Sequence, residues 1–359
     1  MNKKILYVYN ETPGDYQHYL KTLLDKLKAV LTIKTLSYEK NGSCDYNIIR
    51  HGWEDRLQRL MFKFGLTEVP TLDLKKMQAF DIVHIQHSFL WKRLLPLLSL
   101  KKRPKLVITL RGGDTYLKPW TYRRMEQFFS DKSHLVDAFV VMSNNQKVYL
   151  ERWGVPAKKI HVIPISFGEA SQAQAKYPSK KAIKIFSAFR MTWEKNIQAH
   201  INFARMLKDK QIAFEYDIYG DGKDIDQLFY LIDKYDLQSY VHVKRKMSPE
   251  DLRSVMHTYD FCLQLSLSES LGMSVIEAQS FGVPGIVSEI GGLPEAVKDG
   301  VSGIVGKLED LDSLVNSCIA LWSDADTYYA FSKQAIQHVN THYTLEHELQ
   351  LLEKLYKSI

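Results

Sequence analysis

The chain has 359 residues, 45% of them hydrophobic, which is long for one domain and sufficient for two cores. It contains no apolar run of about 18 residues, so no transmembrane helix is expected, and MNKKILYVYN enters a strand pattern too early to read as a signal peptide. The net charge of +7 is unevenly divided: residues 1–168 hold 28 Lys and Arg against 15 Asp and Glu (+13), whereas residues 169–359 hold 20 against 26 (−6).

Short apolar runs alternate with amphipathic stretches from the start. KILYVYN, LTIKTLS, DIVHIQH, KLVITLR, DAFVVMS and KIHVIPI read as strands, separated by helical segments such as 16–30 and 145–153. Two segments mix bases with large apolar groups: RLQRLMFKFGL at 56–66, and WKRLLPLLSLKKRPK at 91–105 with six basic residues. Basic amphipathic segments of this kind suit an anionic membrane surface, while no nucleic-acid motif accompanies the charge and nucleic acid is not expected as a partner. Residues 168–181, GEASQAQAKYPSKK, are small and polar and read as a linker. The alternation then restarts with AIKIFSAFR, FEYDIYG, VHVKRK, YDFCLQLS, GIVSE and GIVG. Strands alternating with helices predict parallel sheets. Two such series predict an α/β chain of two doubly wound Rossmann-like domains, residues 1–167 and 182–339, with the ligand expected in a cleft outside the strand carboxyl ends. Cys44, Cys262 and Cys318 are odd in number and scattered, which suits a reducing, cytoplasmic setting.

The densest chemistry lies between Ser266 and Val305. FCLQLSL, residues 261–267, reads as a buried strand, and Met273 opens a helix that Gly282 closes. A helix start offers unpaired N–H groups and partial positive charge to a phosphate, and Gly272 lets a ligand approach that backbone. Glu269 precedes the helix and Glu277 is expected about two turns after its start, a separation of ~12 Å if all eight residue steps from Glu269 to Glu277 are helical. Carboxylates only accept hydrogen bonds and therefore suit paired sugar hydroxyls. An elongated, negatively charged ligand with hydroxyls at both ends fits this pattern.

These residues resemble the retaining nucleotide-sugar glycosyltransferases of the two-domain GT-B fold, glycosyltransferase family 4. The resemblance covers most of residues 81–305 and is densest after 180. It rests on Glu269, Glu277 and Ala278, on Gly282-Val283-Pro284, on the Gly291-Gly292 loop, on Arg190, Glu194 and Lys195 in FSAFRMTWEKN, and on Gly220-Asp221-Gly222. It implies that a sugar moves from a nucleotide diphosphate donor to a saccharide or lipid-linked acceptor, as in surface polysaccharide or glycoconjugate synthesis. Arg190 and Lys195 would neutralise the diphosphate leaving group. The backbone at Ser270, Leu271, Gly272 and Met273 would meet the same group, Glu277 would hold the ribose, and Glu269 would contact the transferred sugar. Gly220, Gly222 and Gly292 would let the backbone approach the donor. The resemblance also implies that a C-terminal helix within about 340–359 packs back on the first domain.

The first half departs from the family. Its usual Gly-Gly loop after the first strand is here a single Gly14 in NETPGDY, the histidine often found at the end of the strand matched by KLVITLR is replaced by Arg111-Gly112-Gly113-Asp114, and its Asn-Gly after Ile-Pro is Ile165-Ser166. Arg111 and His87 are the acceptor-side candidates. No metal is expected: the Asp-x-Asp triplets at 224–226, 310–312 and 324–326 fall in helical or loop contexts, and Arg190 and Lys195 would do a metal's work. No organic cofactor is expected either. A nucleotide-sugar epimerase of the same architecture and a non-catalytic sugar-binding subunit are the alternatives.

Overall fold

The structure, a computed structural model, describes residues 3–11, 18–40, 42–49, 51–86 and 88–359. Gly14 and His87 lie outside the described residues. The chain divides into two compact units, one of residues 1–164 and 348–359 and the other of residues 165–347.

In the first unit the strands are β1 (Lys4–Val8), β2 (Thr32–Ser37), β3 (Tyr46–Asn47), β4 (Ile82–Ile85), β5 (Lys105–Thr109), β6 (Ala138–Val141) and β7 (Ile160–Val162). They form one parallel sheet in the order β3-β2-β1-β4-β5-β6-β7. The helices between them are α1 (His18–Val30), α2 (Trp53–Lys63), α3 (Leu72–Met77), α4 (Trp91–Leu98), the short α5 (Gly113–Tyr116), α6 (Lys118–Thr121) and α7 (Arg123–Gln127), and then α8 (Asn144–Arg152). Strand side chains alternate between faces. Leu6, Val8, Val83, Ile85, Leu106 and Ile108 point into a core closed by Leu94, Leu97 and Leu98 of α4. The leucines of the 91–105 segment are therefore core residues, and Trp91 stacks on Phe128 with ring centroids 4.6 Å apart.

The opposite set of side chains carries a polar chain. His84 Nδ1 lies 2.6 Å from the Tyr356 hydroxyl and Nε2 lies 2.7 Å from Thr109 Oγ1, and the Tyr356 hydroxyl also pairs with that of Tyr7. All four side chains are buried. Burial, with the nearby Arg111 charge, pushes the His84 imidazole down to about 3, so it is neutral.

The second unit has β8 (Ile183–Ala188), β9 (Phe214–Tyr219), β10 (Val241–Lys244), β11 (Phe261–Gln264), β12 (Gly285–Ser288) and β13 (Gly303–Gly306), all parallel, in the order β10-β9-β8-β11-β12-β13. Its helices are α9 (Ile197–Asp209), α10 (Ile225–Lys234), α11 (Pro249–Met256), α12 (Met273–Ser280), α13 (Leu293–Ala296), α14 (Leu311–Ser323) and α15 (Ala325–His342). Ile183, Ile185, Phe261 and Leu263 face the core shared with α9, α10 and α14, while Phe186, Cys262 and Val287 face the one shared with α12 and α13. That is a doubly wound sheet. A last helix, α16 (Leu345–Ser358), ends in residues that belong to the first unit, where Lys3 Nζ donates to Tyr356 O at 2.8 Å.

The division between units falls after Pro164 rather than after residue 167, and residues 168–181 are part of the second unit rather than a free linker. Ser171 N donates to Asn340 Oδ1 at 2.8 Å, Asn340 Nδ2 returns a bond to Ser171 O at 2.9 Å, and Lys176 N and Ser179 N bond Ser332 Oγ and Asp260 Oδ1 at 3.0 and 2.8 Å. The polar composition that suggested a linker supplies an extended strap whose backbone is satisfied by side chains of α15 and of the residue before β11.

Candidate functional site

In the second sheet the strand order reverses between β8 and β11, and open parallel sheets bind ligands outside the carboxyl ends of strands at such a point. The loops after these two strands carry Arg190, Glu194 and Lys195 on one side and Glu269 to Gly272 on the other. After β8, Trp193–Lys195 form a short 3-10 turn, and Asn196 caps α9 from a left-handed conformation, φ 53°, with Oδ1 accepting from Ala199 N. After β11, the N–H groups of Leu267 and Ser268 donate to Glu194 O at 2.8 and 3.4 Å. The two loops are thus stitched together, and Lys195 Nζ pairs with Glu269 Oε2 across the switch point. Both side chains are largely shielded, at 17% and 15% exposure. The second carboxylate oxygen of Glu269 accepts from Ser270 N at 3.1 Å.

His200, not anticipated from the sequence, fixes the start of this arrangement. Its Nδ1 donates to Asn196 O at 3.1 Å and its Nε2 accepts from Leu265 N at 3.2 Å, so the ring joins the beginning of α9 to the strand-end loop. Burial pushes its imidazole down to about 4, so it is neutral and of the tautomer these bonds require. A signal existed: His200 falls on the apolar stripe of Ile197, Ile201 and Ala204, where a polar side chain must have internal partners. Because the folded-state value is depressed, its stabilising contribution is complete above about 6.5 and is lost as pH falls through about 4. We expect urea stability to decline across that window by on the order of 3 kcal/mol for this group, and His200→Gln to flatten that part of the profile. Equal pH slopes for the two proteins would contradict this.

Two glycine positions are dictated by close approach. A Cβ on Gly220 would lie 2.0 Å from Phe189 O, and one on Gly292 would lie 2.1 Å from Ser270 O. The Gly220–Gly222 loop is folded directly against the Arg190 loop, where Met191 N donates to Asp221 O at 2.9 Å. The Gly291–Gly292 loop supports the Glu269 loop in the same way, with Gly292 N donating to Glu269 O at 3.0 Å. Gly292 therefore spends its N–H inside the protein and positions Glu269 rather than presenting a donor of its own.

Gly272 precedes α12 with φ 98°, and no side chain caps the first turn of that helix. Leu271 is buried, and Met273 is the first helical residue. Glu277 stands little more than one turn into α12, not two, because residues 269–272 are loop. Burial raises its carboxyl above the ordinary range against the opposing charge of Arg253, whose Nε is 4.0 Å from Glu277 Oε1. Arg190 is the most open member, 75% exposed, with Nη2 3.5 Å from Glu194 Oε1. Burial alone would raise the Glu194 carboxyl, but the Thr192 hydroxyl, a backbone bond and the charges of Arg190 and Lys195 hold it low.

Arg111 belongs to the first unit. Its Nη2 donates to Gln86 Oε1 at 2.9 Å and its Nε to Gln86 O at 3.4 Å, while buried Asp114 accepts from Arg111 N and Gly112 N at 3.0 and 3.1 Å. It clamps the ends of β4 and β5. Of the Asp-x-Asp triplets, Asp310 and Asp324 cap α14 and α15, Asp224 occupies the residue before α10, and Asp312 pairs with Lys210 at 2.9 Å. Among the described residues no group of three or more His, Cys, Asp or Glu is placed to hold a metal ion.

The family model described as glycosyl transferases group 1 matches residues 169–338, and that of Glycosyltransferase Family 4 matches residues 30–165. The D-inositol 3-phosphate glycosyltransferase of Corynebacterium urealyticum is 31% identical over 129 residues, 36% of this chain and 30% of that protein. The N-acetyl-alpha-D-glucosaminyl L-malate synthase of Bacillus anthracis is 21% identical over 80% of this chain and 77% of its own length. In fold, the chain resembles Anabaena Alr3699/HepE, solved in complex with UDP and glucose, with a TM-score of 0.75 at 15% identity over 99% of this chain and 100% of the other. The chain spans between 29% and 52% of the length of four of its curated relatives.

Proposed function

The chain belongs to the glycosyl transferases of group 1, with a Glycosyltransferase Family 4 first half, and on that premise we propose that it transfers a sugar, with retention, from a nucleotide diphosphate donor to a saccharide or lipid-linked acceptor. The setting we propose is cytoplasmic synthesis of a surface polysaccharide or glycoconjugate. The observation that carries the reading is the Lys195–Glu269 pair at the switch point, one loop before the uncapped start of α12.

The chemistry follows from charge. The bond between the anomeric carbon and the diphosphate oxygen breaks, and its electron pair stays on the diphosphate. Lys195, Arg190 and the N–H groups opening α12 face that growing negative charge, so they bind the transition state more strongly than the ground state. Glu269 shares the Lys195 ammonium and stabilises the oxocarbenium character of the departing sugar. Glu277 accepts from the ribose hydroxyls. The acceptor hydroxyl bonds the anomeric carbon, and its proton passes to the oxygen of the departing diphosphate, which holds the electron pair of the broken bond. With two cations at the leaving group, no metal is needed in this scheme.

A thermal-shift and hydrolysis screen across nucleotide sugars tests the reading. One donor class is expected to raise the melting temperature and to release nucleotide diphosphate in excess chelator. Absence of any stabilising nucleotide sugar would remove the donor site, and loss of activity in chelator that magnesium restores would remove the metal-free scheme.

A further inference from the structure

Helix α2 is amphipathic in the inverted sense. Its buried residues are Asp55 and Gln58, at 3% and 2% exposure, while Trp53, Leu57 and Leu60 point outward at 75%, 49% and 51%. The polar inner face is firmly occupied. Asp55 accepts from His51 N and Leu72 N, each at 3.2 Å, and from Arg59 Nε at 2.9 Å, while Gln58 Nε2 donates to Val69 O at 2.8 Å and to Thr67 Oγ1 at 2.9 Å. Those bonds shape residues 67–72, so α2 cannot roll its apolar side inward without breaking them.

The outward side chains recur at i, i+4 and i+7, one stripe of a helix. The turn that follows extends it with Phe64 and Leu66, at 69% and 70% exposure, and a Cβ on Gly65 would meet nothing within 4 Å. A monomer facing only water rarely shows so continuous an apolar surface. The charge beside it selects the occupant. Exposed Arg56 and Lys63 lie along one edge of the stripe; across residues 53–66 three bases stand against Glu54 and Asp55, and Asp55 is buried and paired with Arg59, so the exposed charges are Arg56 and Lys63 against Glu54. Residues 1–168 carry an excess of +13. Among the described residues no helix is long and apolar enough to cross a bilayer. An apolar stripe edged with cations on a short helix suits the headgroup region of an anionic bilayer, where one surface supplies both an apolar layer and negative charge.

We propose that α2 and the turn to Leu66 dock the first unit on an anionic membrane surface, with Trp53, Leu57, Leu60 and Phe64 entering the interface. This moves the membrane contact away from residues 91–105, whose leucines are core. The inference does not rest on the donor-site reading.

The test is sedimentation of the full chain with phosphatidylglycerol–phosphatidylcholine vesicles at low salt, with pure phosphatidylcholine as control. Binding is expected to the anionic vesicles, to weaken with salt, and to fall at least tenfold in a Trp53→Ser, Leu57→Ser, Phe64→Ser variant. That variant should keep its melting temperature and donor hydrolysis, because these side chains are outside the core and the donor loops. Arg56→Gln with Lys63→Gln should reduce the salt dependence. Equal vesicle binding by the triple variant, or none by the parent, overturns the proposal. A concentration-dependent dimer that the triple variant abolishes, without vesicle binding, overturns it in favour of a second copy of the chain.

Discussion

Lys195→Ala is expected to lower turnover by on the order of 100-fold, about 2.7 kcal/mol of transition-state stabilisation, with little change in folding. Lys195 is mostly shielded and already held by Glu269 at the switch point, so in the proposed scheme its charge would meet the leaving group without a search through rotamers. Arg190 is 75% exposed and loosely paired, and its alanine variant should cost about tenfold, since water screens an open charge. The measurement is steady-state turnover with the donor found by the screen, beside urea unfolding. Turnover like that of the parent in Lys195→Ala would falsify the assignment of the leaving-group site. A reversed ranking of the two residues would show that the exposed arginine is drawn in when the donor binds.

Glu277→Gln should act in opposite directions on stability and on binding. Burial raises the Glu277 carboxyl, so the folded chain retains a proton that the unfolded chain releases near 4.5. Stability contributed by this group is therefore present below about 4.5 and lost as pH rises through the raised value. A neutral glutamine escapes that loss, and each ~1 kcal/mol regained should lift the melting temperature at neutral pH by about 2–4 °C. The same change removes an ionised acceptor for paired hydroxyls, worth about 1.5–3 kcal/mol, so donor affinity should fall roughly tenfold or more. Calorimetric titration with the donor, paired with melting curves from pH 5 to 8, reads both effects. A variant that binds the donor as the parent does would detach Glu277 from the ribose.

Much of the frame was legible because parallel strands buried on both faces read as continuous apolar runs, and all six expected strands of each half are present. Strand ends were less legible. FCLQLSL reads as strand to residue 267, yet β11 stops at Gln264, because the N–H groups of Leu265 and Leu267 go to His200 Nε2 and Glu194 O instead of a neighbouring strand. Those partners are 65 and 73 positions away, beyond any local pattern. The strap at 168–181 was hidden for the same reason: its partners are Ser332, Asn340 and Asp260. At the site, the sequence picked out Lys195 and Glu269 but not their pairing, and it picked out Gly292 but not its close approach to Ser270, which is a property of two loops, not of one. The inversion of α2 was invisible because Asp55 and Gln58 become inner residues only through bonds to the loop that follows.

The hydrogen-bonded chain from Tyr7 through Tyr356 to His84 and Thr109 has a consequence for biosynthesis. Residues 165–347 form an uninterrupted segment, whereas the first unit is complete only when residues 348–359 join it. Until then one face of its sheet holds a histidine and a tyrosine lacking the hydroxyl that joins them. The oldest part of the chain is therefore closed by the youngest, and its sheet face is completed only after all of the second unit has been synthesised.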